Sequence, residues 1–572
     1  MYLKKSTNSK TGRTQLSIVE GFRDKHGITR TRVVKNIGFL DVVQKEYEDP
    51  ISFFTKMAKQ MTAEKKKAEA PLLLELNRKE SLPLGTDNTR NFGYLAFSKI
   101  YHQLGLREFW ANRQLMTKAD YNLNSIFRAL VFSRLVEPDS KRGSFASFGR
   151  FFDKADFSLD DLYRSLTFFT KYQHDLLIWI HEHIRATYGR DTSLVYYDVT
   201  NYYFETDRED NARRRGVSKE HRPNPILQMG LFMDTNGLPV SYGLFPGNTL
   251  DKQTLMPLAD NLIREYQIGR IIVVADRGII TGDNIVGLLC NGNGYVFSYS
   301  VRSSDKAFKE YVLDENGYRS IGQEGFRIKS RLEPRQIWIT QHPSGKKKKL
   351  AVDEKHVVFY SPDYAAKSRH EREQTLEKAK ALIRRPGKYN RATAYGAAKY
   401  IKNLSFDKDT GEIIRNRGTA LILDEALIAE EEKYDGYYAI VTSEYEKTDT
   451  EVLDIYKGLW KIEESFKITK SELEARPVWV STQCHILAHF MICYAALVIS
   501  RILEFRMERR LSVPQILESL RKCNCVLLDK NQFLFSYYDD VLAKLGKNLD
   551  IDFSRKYRSL KEIKDELAKT KK

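Results

Sequence analysis

Five apolar, β-branched segments between residues 194 and 299 constrain the fold of this chain more than any other feature. They read LVYYDVT, PILQMGLFMD, LPVSYGLFPG, RIIVVADRG and YVFSYSV. Such segments predict buried strands, and DTNG at residues 234–237 predicts a hairpin turn between the second and the third. Helical spacing in KQTLMPLADNLIREYQ and TGDNIVGLLC puts one helix before the fourth strand and another before the fifth. This order predicts an α/β fold with a ribonuclease-H-like sheet.

The pattern along the 572 residues divides the chain into six parts. We predict a basic N-terminal β unit with a helix and linker at 1–88 and a helical domain at 89–189, both binding DNA. The ribonuclease-H-like core then occupies 190–301 and 431–505, a β-rich insertion interrupts it at 302–430, and a helical C-terminal tail covers 506–572. Within the insertion, we predict that Trp338 packs in the core as part of a strand and does not stack on an unpaired DNA base.

Charge and composition narrow the class of partner. Lys and Arg number 93 against 75 Asp and Glu, a formal net charge of +18, which favours a polyanion such as nucleic acid as the partner.

The five cysteines form no Cys-x-x-Cys pair, which argues against a zinc ribbon or a disulfide framework. The most apolar stretch, ILAHFMICYAALVIS at 486–500, is shorter than the ~20 residues of a membrane span, so it predicts a buried helix. The N-terminus lacks an apolar signal core, so we expect a cytoplasmic protein without a membrane partner.

One carboxylate, Asp198, lies in the middle of the first strand segment, and a second, Asp276, lies where the fourth segment ends. A buried carboxylate is costly unless it is paired, hydrogen-bonded or bound to a metal. Strands that are neighbours in a sheet would bring these two acids to one edge. A structural acid bonded to the backbone remains an alternative for Asp198 taken alone.

A third carboxylate comes from a predicted helix in EVLDIYKGLWKIEESFKITK. Residues at three- and four-residue steps share one face of a helix. That face carries Tyr456, Trp460, Glu463, Lys467 and Lys470. If it packs against the sheet, Glu463 joins the two aspartates.

Converging carboxylates repel one another and need compensation by cations. Oxygen ligands suit Mg²⁺, for which Mn²⁺ substitutes. Two such ions ~4 Å apart can activate a water or a 3′-hydroxyl and stabilise the leaving oxygen of a phosphodiester. The three acids therefore predict a site for two metal ions and phosphoryl transfer on DNA.

The chain resembles DDE insertion-sequence transposases of the IS-four superfamily, most closely its sixteen-thirty-four branch. The resemblance extends over nearly the whole chain and rests on YYDVTNYYFE, GVSKEHRPNPILQMGL, LFPGNTLDKQT, VVADRG and YKGLWKIEESFKITK. It implies that Asp198, Asp276 and Glu463 are the metal-binding catalytic triad. It also implies that double-stranded DNA is the substrate, both as terminal inverted repeats and as target, and that a homodimer holds the two ends.

The resemblance further implies a set of DNA contacts. Tyr456 and Lys470 match the last family motif and would hold the backbone of the transposon end. Arg277 follows the second Asp and would contact a DNA strand, and Lys219 and Arg222 would line the same cleft. The motif has an arginine where this chain has Leu459, so we expect Lys461 or Lys467 to replace it.

Three functions are compatible with these residues. The first is a DNA transposase that hydrolyses phosphodiesters at element ends and transfers 3′-hydroxyls into target DNA. The second is a ribonuclease-H-like nuclease that cuts without strand transfer. The third is an inactivated copy that only binds DNA, an alternative kept open by Leu459.

Overall fold

A computed structural model describes residues 1–9, 11–23, 29–69, 79, 81–219, 223–322, 324–341, 343–384, 396–404, 420–529 and 531–571. The chain forms two compact units, Met1–Thr86 and Asp87–Lys572, and each is described by itself.

The first unit is a small antiparallel sheet with two helices. Its elements are β1 (Tyr2–Thr7), β2 (Thr14–Arg23), β3 (Thr29–Phe39), α1 (Leu40–Val43) and α2 (Pro50–Glu69). The strands pair in the order β1-β2-β3, and Leu16, Ile18 and Phe54 are buried in the unit. The sequence predicted a β unit and a helix in this part of the chain.

The second unit opens with a short strand and six helices. They are β4 (Thr89–Asn91), α3 (Tyr94–Gln103), α4 (Leu106–Gln114), α5 (Leu123–Val136), α6 (Lys141–Ser147), α7 (Leu159–Lys171) and α8 (Gln173–Tyr188). Asn122, Ser140 and Ser158 cap the N-termini of α5, α6 and α7 with their side chains, which fixes where these helices begin.

All five predicted strands are present in the region 194–299. The elements are β5 (Leu194–Tyr203), β6 (Ile226–Asp234), β7 (Pro239–Pro246), α9 (Leu255–Glu265), β8 (Ile272–Ala275), α10 (Gly282–Cys290) and β9 (Gly294–Tyr299). They lie in the order β7-β6-β5-β8-β9, in which β6 runs antiparallel to both neighbours and β5, β8 and β9 are parallel. Gly237 takes a positive φ of 67° in the predicted β6–β7 turn, a conformation that glycine adopts without strain.

Among its described residues, the region predicted as a β-rich insertion also contains three α-helices. Its elements are α11 (Lys306–Leu313), β10 (Arg319–Ser320), β11 (Arg327–Gln341), β12 (Lys346–Tyr360), α12 (Pro362–Arg384), β13 (Ile401–Leu404), β14 (Ala420–Leu423) and α13 (Glu425–Glu432). The predicted packing of Trp338 is wrong, because its side chain is 57% exposed. At that level of the long β11–β12 hairpin, the two strands pair only with each other among the described residues.

The chain then returns to the large sheet and forms the core helices. The elements are β15 (Tyr437–Thr442), α14 (Asp449–Lys457), α15 (Trp460–Lys467), a π-helical turn (Ile468–Glu472) and α16 (Gln483–Arg506). Because β15 pairs with β9 on one side and with β12 on the other, the strands of the insertion continue the same sheet. Nine strands result, in the order β10-β11-β12-β15-β9-β8-β5-β6-β7.

Helix α16 is the apolar segment that the sequence predicted as a buried helix. Among the described residues it is the one helix long and apolar enough to cross a membrane by length and composition, and 94% of its apolar window is buried inside the fold. It packs against α3, α5, α7 and β7, which explains why it is apolar on every side.

The predicted all-helical tail is wrong in part. The structure has α17 (Val513–Lys522), β16 (Asn524–Asp529), β17 (Gln532–Phe535), α18 (Asp540–Leu549), β18 (Tyr557–Ser559) and α19 (Leu560–Lys569). The three strands join β4 in a sheet of order β18-β17-β16-β4. Strand β16 finds its partner more than 400 residues earlier in the chain, at Asn91, a pairing that no local pattern reveals.

Candidate active site

Three polar residues lie in one row across the centre of the large sheet. The last register pairs of the parallel strands are Tyr197 with Ala275 and Ala275 with Phe297. The next positions are Asp198, Asp276 and Ser298. Because side chains alternate between the faces of a sheet, these three point to the same side.

The Asp276 carboxylate is held by three donors at one oxygen. Its Oδ1 accepts hydrogen bonds from the Arg277 backbone N–H at 2.7 Å, from Ser298 Oγ at 2.5 Å and from the Tyr456 hydroxyl at 3.5 Å. The Tyr456 hydroxyl is also 2.5 Å from the hydroxyl of Tyr438 on β15. Every hydrogen bond that the described residues make to this carboxylate goes to Oδ1, so its second oxygen is available to a ligand.

Asp198 is half-buried and carries a perturbed carboxyl group. Burial raises its pKa to about 6, and the charges of Asp276 and Asp251 act in the same direction. Lys219 and the Val199 backbone N–H partly oppose this rise. The Lys219 ammonium donates to the Val199 carbonyl and lies 3.8 Å from Asp251.

Lys470 lies on the π-helical turn that follows α15, near the same carboxylate. Burial, together with the charge of neighbouring Lys219, lowers the pKa of Lys470 to about 8, and Asp198 partly opposes this shift. Its ammonium lies 5.8 Å from the ring centre of Tyr202 on β5. Two lysines therefore surround Asp198, one from the loop before β6 and one from the helix region.

Glu463 is exposed on α15 and lines a cavity of about 630 Å³. The cavity lies between the insertion and the helices α14 and α15, and Tyr456, Leu459 and Trp460 line it as well. A second cavity of about 210 Å³ adjoins Asp276, and Tyr438 lines both. In the part of the chain that the structure describes, no three acidic, histidine or cysteine side chains are close enough to hold one ion.

The remaining predicted residues occupy different surroundings. Arg277 and Lys467 are exposed, and Arg222 lies outside the described residues. Of the two lysines expected to replace the motif arginine, Lys461 donates to the Thr235 carbonyl at 2.7 Å, so it is engaged within the fold. Leu459 itself is buried, with 6% of its side chain exposed.

Comparison with known proteins identifies the family. Residues 3–71 match the IS1634 family transposase N-terminal domain, and residues 197–499 match the transposase DDE domain. The chain belongs to the DDE transposases, in the IS1634 family. It is therefore an enzyme of DNA transposition that cleaves DNA and transfers strands, and its chemistry depends on a divalent metal.

Other comparisons add little to this assignment. The cryo-EM structure of a piggyBac transposase synaptic complex with hairpin DNA is similar over 84% of this transposase and 85% of that chain, with 8% sequence identity and a TM-score of 0.35. No curated protein sequence matches the chain.

The donor set of the transposase fits a divalent cation. Carboxylate oxygens are the ligands that hard cations prefer. The raised pKa of Asp198 indicates that the lysines around it do not fully compensate its charge, and a cation would supply the missing compensation. The free oxygen of Asp276 lies in the same row of the sheet.

Sequence reasoning missed Ser298, Tyr438 and Asp251. Ser298 lies inside YVFSYSV, where alternation alone gives no reason to select it. It becomes visible only when the register of β8 and β9 is known, because that register places it beside Asp276. Asp251 lies within LFPGNTLDKQT, one of the segments that carry the family resemblance.

The raised pKa of Asp198 leads to a prediction about the stability of the folded protein. Between its ordinary pKa of 3.8 and about 6, the folded transposase holds a proton that the unfolded chain has released, so stability falls as the pH rises through this window. At neutral pH the charged Asp198 carboxylate therefore lowers the free energy of unfolding by on the order of 2–3 kcal/mol. Asp198→Asn should therefore melt about 2 °C higher than the wild type at pH 7.5 in chelator. At pH 4.5 the difference should shrink to about a third, because the folded carboxyl group is still mostly protonated there. An equal difference at both pH values would contradict the prediction.

Proposed function

We propose that Asp198, Asp276 and Glu463 hold the divalent cations of this transposase, two Mg²⁺ ions for which Mn²⁺ substitutes. The observation that carries the proposal is that Asp198 and Asp276 each directly follow the last register pair of the parallel strands β5 and β8, Tyr197 with Ala275, near the centre of the sheet. Three antiparallel strands followed by two parallel ones support a ribonuclease-H-like core, with β5 in the middle. Glu463 would complete the ligand set from α15, which packs against β5 and β6.

The bound cations would activate a water or a 3′-hydroxyl and stabilise the leaving oxygen of the phosphodiester. The protein's part is to orient the ligands and the DNA. Asp276 is fixed at Oδ1 by its three donors, and Asp198 is fixed by its place in a buried strand. Hydrolysis at the element ends and attack of the 3′-hydroxyl on target DNA would both use this one site.

Positively charged side chains around the carboxylates would position the DNA backbone. Phosphate contacts fix the register of a protein on DNA, whereas the chemistry belongs to other groups. We assign this role first to Lys470 and Lys219, since both surround Asp198. The remaining proposed contacts are Tyr456, Arg277, Lys467 and Arg222.

The reaction joins two element ends to one target, so we propose that the transposase acts on DNA as a homodimer. We also propose that it acts in the bacterial cytoplasm, at the nucleoid. The basic region 1–88 and the helical region 89–189 would recognise the ends.

A plasmid that carries the coding region with its flanking DNA tests the proposed function. Purified transposase with Mg²⁺ should release the element and join it to a second plasmid, and chelator should abolish both products. Release without joining would instead support a nuclease. Binding without either product, in Mg²⁺ and in Mn²⁺, would support an inactivated copy.

The proposed phosphate contact of Lys470 gives a second prediction. Lys470→Ala should reduce the slope of log affinity against log salt by ~0.9, the value of one phosphate contact. The difference from the wild type should shrink between pH 7 and pH 9, because Lys470 in the DNA-free protein has its pKa lowered to about 8. Filter binding or fluorescence anisotropy on end DNA measures both effects.

Lys544→Ala, an exposed lysine on α18, is the matched control and should leave the pH dependence unchanged. An unchanged slope for Lys470→Ala would show that this side chain contacts no phosphate.

A further inference from the structure

Ser298 is the buried residue in the central row of the sheet, with 2% of its side chain exposed. It lies on β9, directly after Phe297, and Asp276 directly follows Ala275, the register partner of Phe297 on β8. Its hydroxyl donates to Asp276 Oδ1 at 2.5 Å, whereas the Tyr456 hydroxyl reaches the same oxygen only at 3.5 Å. Ser298 is thus the closer of the two side-chain donors to this carboxylate.

The surroundings of Ser298 leave its hydroxyl little freedom. The Tyr456 hydroxyl reaches the same Asp276 oxygen that Ser298 binds, and it contacts the Tyr438 hydroxyl at 2.5 Å. Three hydroxyl groups from β9, β15 and α14 therefore meet beside one carboxylate oxygen. A hydroxyl that accepts from a neighbour in such a network directs its own proton to the carboxylate.

We infer that Ser298 is a positioning residue for the metal site: it holds Oδ1 of Asp276 so that the other oxygen faces the cation. Tyr456 is a second donor to the same oxygen, and Tyr438 orients the Tyr456 hydroxyl. This inference rests on the proposed role of Asp276 as a ligand. A hydrogen-bonded partner holds a metal-ligating side chain in place before the ion binds, so that side chain loses less conformational freedom on binding. Removing such a partner costs ~10–100-fold in metal affinity.

The test measures Mn²⁺ binding to the DNA-free full-length protein by electron paramagnetic resonance of the free ion, together with a thermal melt. Ser298→Ala should raise the Mn²⁺ dissociation constant about tenfold. Tyr456→Phe removes the more distant donor and should raise it by a smaller factor, and it does not depend on a substitution inside the sheet. Asp276→Asn changes the proposed ligand itself, so it should weaken Mn²⁺ binding more than either of the other two variants.

Ser241→Ala is the matched control. Ser241 is also a buried serine of the large sheet whose hydroxyl contacts a tyrosine hydroxyl, that of Tyr266 at 2.9 Å. It should bind Mn²⁺ like the wild type while showing a comparable change in melting temperature.

The outcomes separate the two proposals. If Asp276→Asn weakens Mn²⁺ binding and both Ser298→Ala and Tyr456→Phe bind within twofold of the wild type, the positioning role is overturned and the metal site stands. If Asp276→Asn itself binds Mn²⁺ normally, the proposed metal site and the positioning role both fail. If Ser241→Ala loses as much affinity as Ser298→Ala, the loss reflects damage to the sheet, and the positioning role is overturned.

Discussion

Asp198→Asn, Asp276→Asn and Glu463→Gln are each expected to reduce DNA cleavage and strand transfer by about a thousandfold, because the metal contributes several kcal/mol of transition-state stabilisation. Each substitution removes one anionic oxygen of a proposed metal ligand while preserving the shape of the side chain. Binding to end DNA should persist, because phosphate contacts come from other residues. Single-turnover cleavage of an end substrate, alongside a binding assay at the same salt concentration, measures the two effects separately.

Asp454→Asn is the control for this series. Asp454 is an exposed carboxylate on α14 that pairs only with Lys457 among the described residues, at 3.6 Å, so its loss should leave cleavage unchanged. If one of the three variants cut DNA at the wild-type rate in Mg²⁺, that residue would not be a metal ligand. Glu463 is the most demanding case, because the structure places it in a cavity that neither aspartate lines.

Shortening the β11–β12 hairpin is expected to cause a large loss of DNA affinity in a folded protein. Ile337 and Leu350 are register partners, so a two-residue turn can join them and remove residues 338–349. The removed part contains exposed Trp338 and the exposed lysines 346–349. If all four lysines contact phosphates, the slope of log affinity against log salt should fall by about 3.6, at ~0.9 per contact.

A full-length variant with glutamine at 346–349 is the matched control for charge, and it should lose the same slope. The shortened variant should still melt cooperatively, because buried Ile337 and the pairing of β12 with β15 are kept. Unchanged affinity and slope in both variants would show that the hairpin end does not contact DNA.

Removing the whole insertion is a different experiment. From the sequence, we predict that the sheet and the Glu463 helix close without residues 302–430. In the structure, however, Lys355 of β12 and Arg319 both pair with buried Asp449 in the first turn of α14. Glu354 of β12 also accepts a hydrogen bond from Tyr295 of β9 at 2.5 Å. Deletion would leave Asp449 without these partners, so the shortened hairpin is the better test of DNA contact.

Particular residues show how far the sequence carried the prediction. Apolar runs around Asp198 and Asp276 predicted both strands, and the helical spacing around Glu463 predicted its helix. These inferences succeed because alternation and helical spacing are local properties of the chain. Trp338 and β16 were mispredicted because the partner that covers or pairs a strand is distant in sequence. Ser298 was missed for the same reason.

The sequence by itself determined the transposase family, the order of strands and helices in 194–299, and the acids proposed for catalysis. The tertiary structure decided that Asp198, Asp276 and Ser298 form one row, that Lys470 and Lys219 surround Asp198, and that the strands of the insertion continue the main sheet. The physical reason is that register, burial and charge environment depend on contacts between residues that lie far apart in the chain. Local propensity reports which element a segment forms, but not which surface it meets.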